Sequence, residues 1–488
     1  MKRLSGIIII ITIAFSVKAQ HVLGLDSCRA LAVANNKDLL MNNEKINAAH
    51  YQRKAAFTNY LPSLSAMGAY MRNQKEISLL SDGQKKDLPY LGTAANEKLL
   101  QDLTPVIGSQ YPSLAPLLSL MGGTMETSLN EMGSSLVDAL RTDTRNMYVG
   151  TLTLTQPIFM GGKIRAYNKI TKYAEELAKQ QHNGELQEVI LNTDQVYWQV
   201  VSLVHRKNLA EKYLQLLQTL DADLEKMIAE GVATKAEGLT VKVKANEAEI
   251  ALTKVENGLS LSKMLLCQLC GLDLSSEIVL IDENVEDIPV VASDNHFVIE
   301  SAYANRPEIK SLELATAIYQ QKINVERAGY LPAIAFVGNY IVSNPSTFNG
   351  FETKFRGMWN LGLTMQLPLW NWGQGLYKVK AAKAEARITQ YQLETAKEKI
   401  ELQVNQSAFK VTEAAKKLSM TNRNLDKANE NLRYATLGFE EGVLPASNVL
   451  EAQTAWLSAQ SEKIDAQIDV RLTEVYLKKA LGELTPDK

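Results

Sequence analysis

Cys267-Gln-Leu-Cys270 is the spacing in this chain that most invites chemistry. In a cytosolic βαβ setting a CxxC would suggest thiol–disulfide exchange, and with a second pair it would suggest zinc. Here it sits inside a helical pattern with no second CxxC and no nearby histidine, which favours a buried packing role. The remaining cysteine, Cys28, makes the total odd, so the thiols do not form an even disulfide framework. Cys28 also fits a lipidation signal poorly, because Asp26 precedes it and the apolar N-terminal segment ends well upstream. The five histidines (His21, His50, His182, His205, His296) are scattered, and neither a nucleophile elbow, a phosphate loop nor an HExxH is present. The carboxylates are spread along helical faces. We therefore expect no catalytic residue, no metal site and no cofactor, hence not an enzyme.

Composition narrows the remaining classes. The formal charge of −2 gives no basic field for a phosphate backbone, so nucleic acid is not an expected partner. Residues 1–19 have the basic start, apolar middle and small-residue end of a signal peptide, which would place the mature start near Gln20. Beyond them no run of 18 apolar residues occurs, so no transmembrane helix is expected. The mature chain either stays soluble outside the inner membrane or meets a membrane as β-structure.

The elements come in two copies. Tyr60-Leu61-Pro62 recurs as Tyr330-Leu331-Pro332, and at the same offset of 270 Gly68 matches Gly338, Tyr70 matches Tyr340 and Ala34-Asn35 matches Ala304-Asn305. A second block repeats at an offset of 211, placing Pro157 on Pro368, Gly162 on Gly373, Glu230-Gly231-Val232 on Glu441-Gly442-Val443 and Gly271 on Gly482. The offsets differ by 59, so the first copy carries an insertion of that length somewhere in 71–147. We expect a repeat over 20–272, a linker over 273–296 and a second repeat over 297–488.

Within a repeat, Trp359, Leu361, Leu363, Met365 and Leu367 alternate with Asn360, Gly362, Thr364 and Gln366, which predicts a strand with one apolar and one uncharged polar face. Tyr148, Leu152 and Leu154 repeat the pattern opposite Thr151, Thr153 and Thr155. Leu64, Ala66, Gly68 and Tyr70 align with Ile334, Phe336, Gly338 and Tyr340 on a common face. Each segment is close to the length of a tilted membrane strand, although an ordinary half-buried sheet would alternate in the same way.

After the strands come helices too long for a globular core. Between Gly375 and Gly438 lie 62 residues without Gly or Pro, enough for a helix of roughly 93 Å at 1.5 Å per residue. Leu418, Leu425, Leu432 and Phe439 step by seven, while Tyr213, Leu217, Leu220, Leu224 and Met227 alternate fours and threes, which predicts coiled-coil packing. Pro157, Gly162, Pro368 and Gly373 read as punctuation where strand becomes helix. Gly231 and Gly442 read as helix C′ residues that turn the chain into a second, shorter helix. Val232, Val443 and Leu444 put apolar side chains at those turns, where they would suit a docking surface.

Four strands cannot close a barrel, and an open sheet leaves backbone groups unpaired in hydrocarbon. The chain must then pair with copies of itself, two giving eight strands and three giving twelve, and three would give a wider lumen consistent with the uncharged polar face.

Together these features resemble the TolC-like outer-membrane efflux proteins over nearly the whole mature length. The resemblance rests on the two Tyr-Leu-Pro strand openings, on Gln156-Pro157-Ile158-Phe159-Met160-Gly161-Gly162 closing the second strand, on the Gly-Val tips and on the repeat spacing. It implies a mixed α+β membrane protein: a homotrimer with a twelve-stranded β-barrel in outer-membrane lipid, continuous with a long periplasmic α-helical barrel. It further implies a channel component of an efflux or export system whose tips dock on a periplasmic adaptor protein coupled to an inner-membrane pump. In the family, polar and acidic residues near the tips narrow the periplasmic entrance, and by position these are Glu237, Asn448 and Glu451. The chain departs from the family in having Asn448 in place of an acid, Leu444 where an arginine can stand and Phe439 where a tyrosine can stand. The insertion falls between the strands of the first repeat, on the side away from the helices. The rival is a periplasmic adaptor or a structural coiled-coil protein of the envelope, which the duplicated strand pairs disfavour.

Overall fold

The computed structural model describes residues 21–485 apart from 75, 77–78, 111, 142, 285–298, 347 and 349–351. The expected signal peptide lies outside the described residues, as does the end of the expected linker. In chain order the elements begin with β1 (His21–Leu23), α1 (Leu25–Asn35), α2 (Lys37–Thr58) and β2 (Ser63–Arg72). The insertion follows as α3 (Asp82–Asp87), α4 (Leu91–Gln110) and α5 (Ala115–Ala139). Then come β3 (Asn146–Met160), α6 (Lys163–Ala229), α7 (Lys235–Cys270) and β4 (Ile278–Leu280). The second half holds α8 (Ile299–Asn305), α9 (Pro307–Ala328), β5 (Ala333–Asn344), β6 (Arg356–Gln366), α10 (Gln374–Glu440) and α11 (Ala446–Leu481).

The duplication is exact in helix length: α6 and α10 each have 67 residues, and α7 and α11 each have 36. At 1.5 Å per residue the long pair are each about 100 Å. The two compact units into which the chain divides do not follow the repeats, since each takes pieces from both halves.

The first unit is helical and gathers the residues up to Ala56, Arg165–Glu326 and the chain from Gln374 onward. Its helices pack through small separate clusters rather than one core, as expected of long helices that meet only along seams. Tyr213 and Leu217 with Ala248, and Leu425 and Ala428 with Ala459, are such clusters, and each includes the seam residues read from the sequence. Along α10 and α11 the buried positions include Ala414, Ala428, Ala459 and Ala466, small enough for close approach. The largest cluster surrounds Tyr197, Val200 and Val201, partway along α6. There β1 pairs in parallel with β4, so the expected linker contributes a strand: His21 faces Ile278 and Leu23 faces Leu280. Cys28, Cys267 and Cys270 are fully buried in this cluster as free thiols, which is the packing role expected of the CxxC. Burial away from water pushes the Cys267 thiol above its ordinary value.

The second unit gathers Phe57–Ile164 and Arg327–Gly373. Its four strands form one antiparallel sheet in the order β2-β3-β5-β6. Among the described residues the outer edges of β2 and β6 have no partner strand. Pro157, expected near the passage from strand to helix, lies three residues before the end of β3 at Met160. Pro157 lies opposite Ala335 and Phe159 opposite Ile334, so the ladder shifts register beside the proline, whose missing N–H such an irregularity accommodates. The insertion, expected as a loop, is instead a helical hairpin built by α4 and α5.

Candidate functional site

The sheet shows how alternation in single strands becomes a surface. Leu64, Leu154, Gly338 and Leu361 are successive cross-strand partners, and so are Ala66, Leu152, Tyr340 and Trp359. The apolar positions of all four strands therefore share one face. Toward the end bearing the hairpin, Tyr70 packs on Tyr148 at a ring separation of 4.9 Å, and Tyr148 lies near Phe355 at 6.0 Å. Toward the other end, Tyr60, Phe159, Tyr330, Trp370 and Trp372 are exposed. An apolar band flanked by aromatic residues at both ends is the outer surface of a lipid-spanning barrel, because amphipathic rings prefer the headgroup level. The opposite face carries Thr153, Asn339 and Asn360, and Asn339 Nδ2 donates to Asn360 Oδ1 at 3.0 Å. The middle of that face is polar without charge, while Met67, Ile341 and Met358 share it nearer the hairpin and Arg356 stands at its end.

At the strand ends left-handed backbone precedes each long helix. Gly161 and Gly162 precede α6 with φ of 61° and 84°. A side chain on Gly161 would meet the Ala328 carbonyl oxygen at 2.9 Å. Trp372 and Gly373, before α10, have φ of 53° and 76°. Pro368 stands just after β6, outside the ladder.

The far turns of the two helical hairpins are built alike. Val232 N donates to the Met227 oxygen at 2.8 Å and Gly231 N to the Ile228 oxygen at 3.1 Å. Val443 N donates to the Gly438 oxygen at 2.7 Å and Gly442 N to the Phe439 oxygen at 2.9 Å. Both are Schellman closures, in which a left-handed glycine lets the last carbonyls find donors. In this motif the residue after the glycine commonly packs back on the helix. Here it does not: Val232 is 68% exposed and Val443 is 76% exposed. Leu444 takes that place on the second turn, lying so close to Gly438 that a side chain there would meet its Cδ1 at 2.7 Å.

Just inside the turns, Leu220, Leu224, Val241, Phe439, Ala446 and Val449 form one cluster from all four long helices. Asn448 and Glu451, three residues apart, point away from it on one exposed face of α11. Glu237 is only partly exposed and has a local task. Its carboxylate accepts from Thr234 N and Thr234 Oγ1 at 2.9 Å each, while Glu237 N donates to Thr234 Oγ1, a reciprocal N-cap of α7. These bonds, first that from the backbone N–H, hold the Glu237 carboxyl below its ordinary value. At the same offset of 211, α11 begins with Pro445 as its N-cap residue, which has no N–H to donate. An acid at 448 would therefore lack the partner that Glu237 has, a physical account of why the second repeat carries asparagine.

The family model for outer membrane efflux proteins matches residues 108–272 and again 298–483. The chain belongs to the outer membrane efflux protein family. The two matched segments follow the two repeats. Among similar proteins, Protein CyaE of Bordetella pertussis is 22% identical over 377 residues, covering 77% of this chain and 76% of that one. The alkaline protease secretion protein AprF of Pseudomonas aeruginosa is 20% identical, covering 54% of this chain and 56% of its own. In structure, the CmeC outer-membrane channel of Campylobacter jejuni superposes with a TM-score of 0.73 at 15% identity, over 95% of this chain and 87% of that one.

This efflux protein thus has the TolC-like channel fold, a channel component of the outer membrane whose helical part lies in the periplasm. Three features escaped the sequence reading. The Thr234-x-x-Glu237 spacing is itself a cap signal and was readable. Tyr70 and Tyr148 at one flank of the sheet were present as residues, but only strand register brings them opposite each other. The pairing of Arg29 with Asp194, 165 positions apart, left no local trace.

Proposed function

We propose that three copies of this chain close a twelve-stranded barrel in outer-membrane lipid and pass cargo from a periplasmic adaptor and its inner-membrane pump to the exterior. The single observation that carries this is the sheet: one continuous apolar face, Thr and Asn behind its middle, and edges on β2 and β6 left open among the described residues. Lipid tolerates no open edge, so β2 of one copy would pair with β6 of the next. Cargo choice rests with the pump in this reading, and the chain itself has no catalytic role.

In the same reading residues 1–19 direct export, and 20–272 and 297–488 are repeats joined by 273–296. Pro157, Gly162, Pro368 and Gly373 mark the strand-to-helix passages. The turns formed by Gly231, Val232, Gly442, Val443 and Leu444 dock on the adaptor, supported by two valines left exposed where the motif usually covers them. Glu237, Asn448 and Glu451 narrow the periplasmic entrance, supported by their places one to two turns inside those tips, with Asn448 and Glu451 exposed.

The test is membrane fractionation followed by planar-bilayer recording. The reading expects a heat-modifiable trimer in outer membranes, resistant to carbonate extraction, that conducts ions when reconstituted. A carbonate-soluble monomer with no conductance would reject it.

A further inference from the structure

The α4–α5 hairpin is packed inside out. Where its helices meet, the seam is glycine and polar side chains: Asn130 Oδ1 accepts from Gly92 N at 2.7 Å and Thr93 N at 3.2 Å. Glu126 accepts from Thr93 Oγ1 at 2.8 Å and from Asn96 Nδ2 at 2.7 Å. The backbones approach so closely that a side chain on Gly92 would meet the Glu126 carbonyl oxygen at 2.1 Å, and one on Gly133 would meet the Leu88 oxygen at 1.9 Å. With the seam so filled, the apolar residues are turned outward. Leu117, Met121, Met125, Met132 and Leu136 step by fours and a seven along α5, all exposed, and Leu103 of α4 continues the same surface. Such a stripe in water requires a cover.

We propose that the cover is the same stripe of sister chains, so that the hairpins of three copies meet in a collar over the outer mouth of the barrel. This rests on the trimeric reading above. The hairpin springs from β2, the edge strand whose free side faces a sister chain, and Asn73 N still donates to the Arg145 oxygen at 2.7 Å beyond the end of the ladder. Each stripe therefore starts at a subunit seam, at the end of the sheet away from the strand–helix junctions. Lipid is the poorer occupant. Helix α5 contains no Lys, Arg or aromatic residue and three carboxylates, Glu126, Glu131 and Asp138, whereas helices that lie on anionic lipid carry basic polar faces and aromatic anchors. The stripe itself is neutral, so copies can meet there without like-charge repulsion.

Single-cysteine substitutions in the full-length trimer test this, since the three native thiols are buried. Met121→Cys and Met132→Cys on the stripe are compared with Ser134→Cys on the far side of α5, which is also exposed, under copper-phenanthroline oxidation. Interchain disulfides at the two stripe positions, at least fivefold above Ser134→Cys, are expected. Equal yields on the two sides overturn the collar, as does quenching of a bimane on Met121→Cys by lipid-phase quenchers without cross-linking. A chain that is monomeric before any substitution overturns the assembly itself and the collar with it, so the two failures are distinguishable.

Discussion

Glu237 and Thr234 hold each other at the start of α7, with the carboxylate on the Thr234 backbone N–H and the hydroxyl on the Glu237 N–H. Replacing Thr234 with alanine should cost about 1 kcal/mol, the usual value of an N-cap hydroxyl. Amide exchange in the first turn of α7 should then quicken about fivefold, with α11, capped by Pro445, unaffected. The cap is also pH-dependent. Because the folded carboxyl lies below its unfolded value of about 4.3, its contribution is present above that pH and lost as pH falls through the lower folded value. Exchange rates that do not rise on acidification would remove Glu237 from the cap.

Arg29 closes on Asp194 with two bonds of 2.8 and 2.7 Å, and both side chains are buried. Burial raises the Asp194 carboxyl despite the guanidinium, so the pair is held by geometry against a desolvation cost. Arg29→Met should destabilise the chain by about 3–5 kcal/mol, because it leaves one buried carboxylate without its partner. The double variant Arg29→Met with Asp194→Leu should recover much of that loss. Denaturation midpoints in detergent that are equally low for both variants would mean that packing, not charge, matters here.

The exposed valines at the hairpin turns make a prediction about export. Val232→Asp and Val443→Asp add charge where nothing within the chain packs, so trimer yield and heat stability should be unchanged, while adaptor pull-down and export fall at least tenfold. Wild-type export by the double variant would free the turns from any docking role.

Glu451 stands on an exposed face of α11 with Asn448. If it lines the closed entrance, Glu451→Ala should raise single-channel conductance severalfold and weaken block by divalent cations. Conductance equal to wild type would take Glu451 out of the entrance. Asn448→Asp probes the second repeat separately; with Pro445 unable to cap it, the new carboxylate remains free to bind cations, and block should strengthen.

Most of the architecture was legible because it repeats. Two offsets, 270 and 211, recur across elements whose periods differ, and helix pairs of equal length in the two halves follow directly from equal spacing between glycines. Strand faces were legible too, since a period of two assigns sides without reference to neighbours. That Pro157 lies inside β3 was not readable, because a proline can be carried through a ladder where the register slips, and that slip depends on what β5 presents opposite. The insertion was unreadable because Met, Gly and Ser in a helix do not declare which side is covered; only the bonds of Asn130 and Glu126 show that the polar side faces inward.

By itself the amino-acid sequence determined the periodic parts of this protein: two copies of strand, strand, long helix and shorter helix, with glycines where the chain must reverse. These are local consequences of backbone geometry and side-chain spacing. Tertiary structure alone decided which strands lie side by side, that the apolar rows of four strands merge into one face, and that Arg29 meets Asp194. Each of those depends on residues brought together across long stretches of chain, and spacing along a sequence carries no record of distance in space.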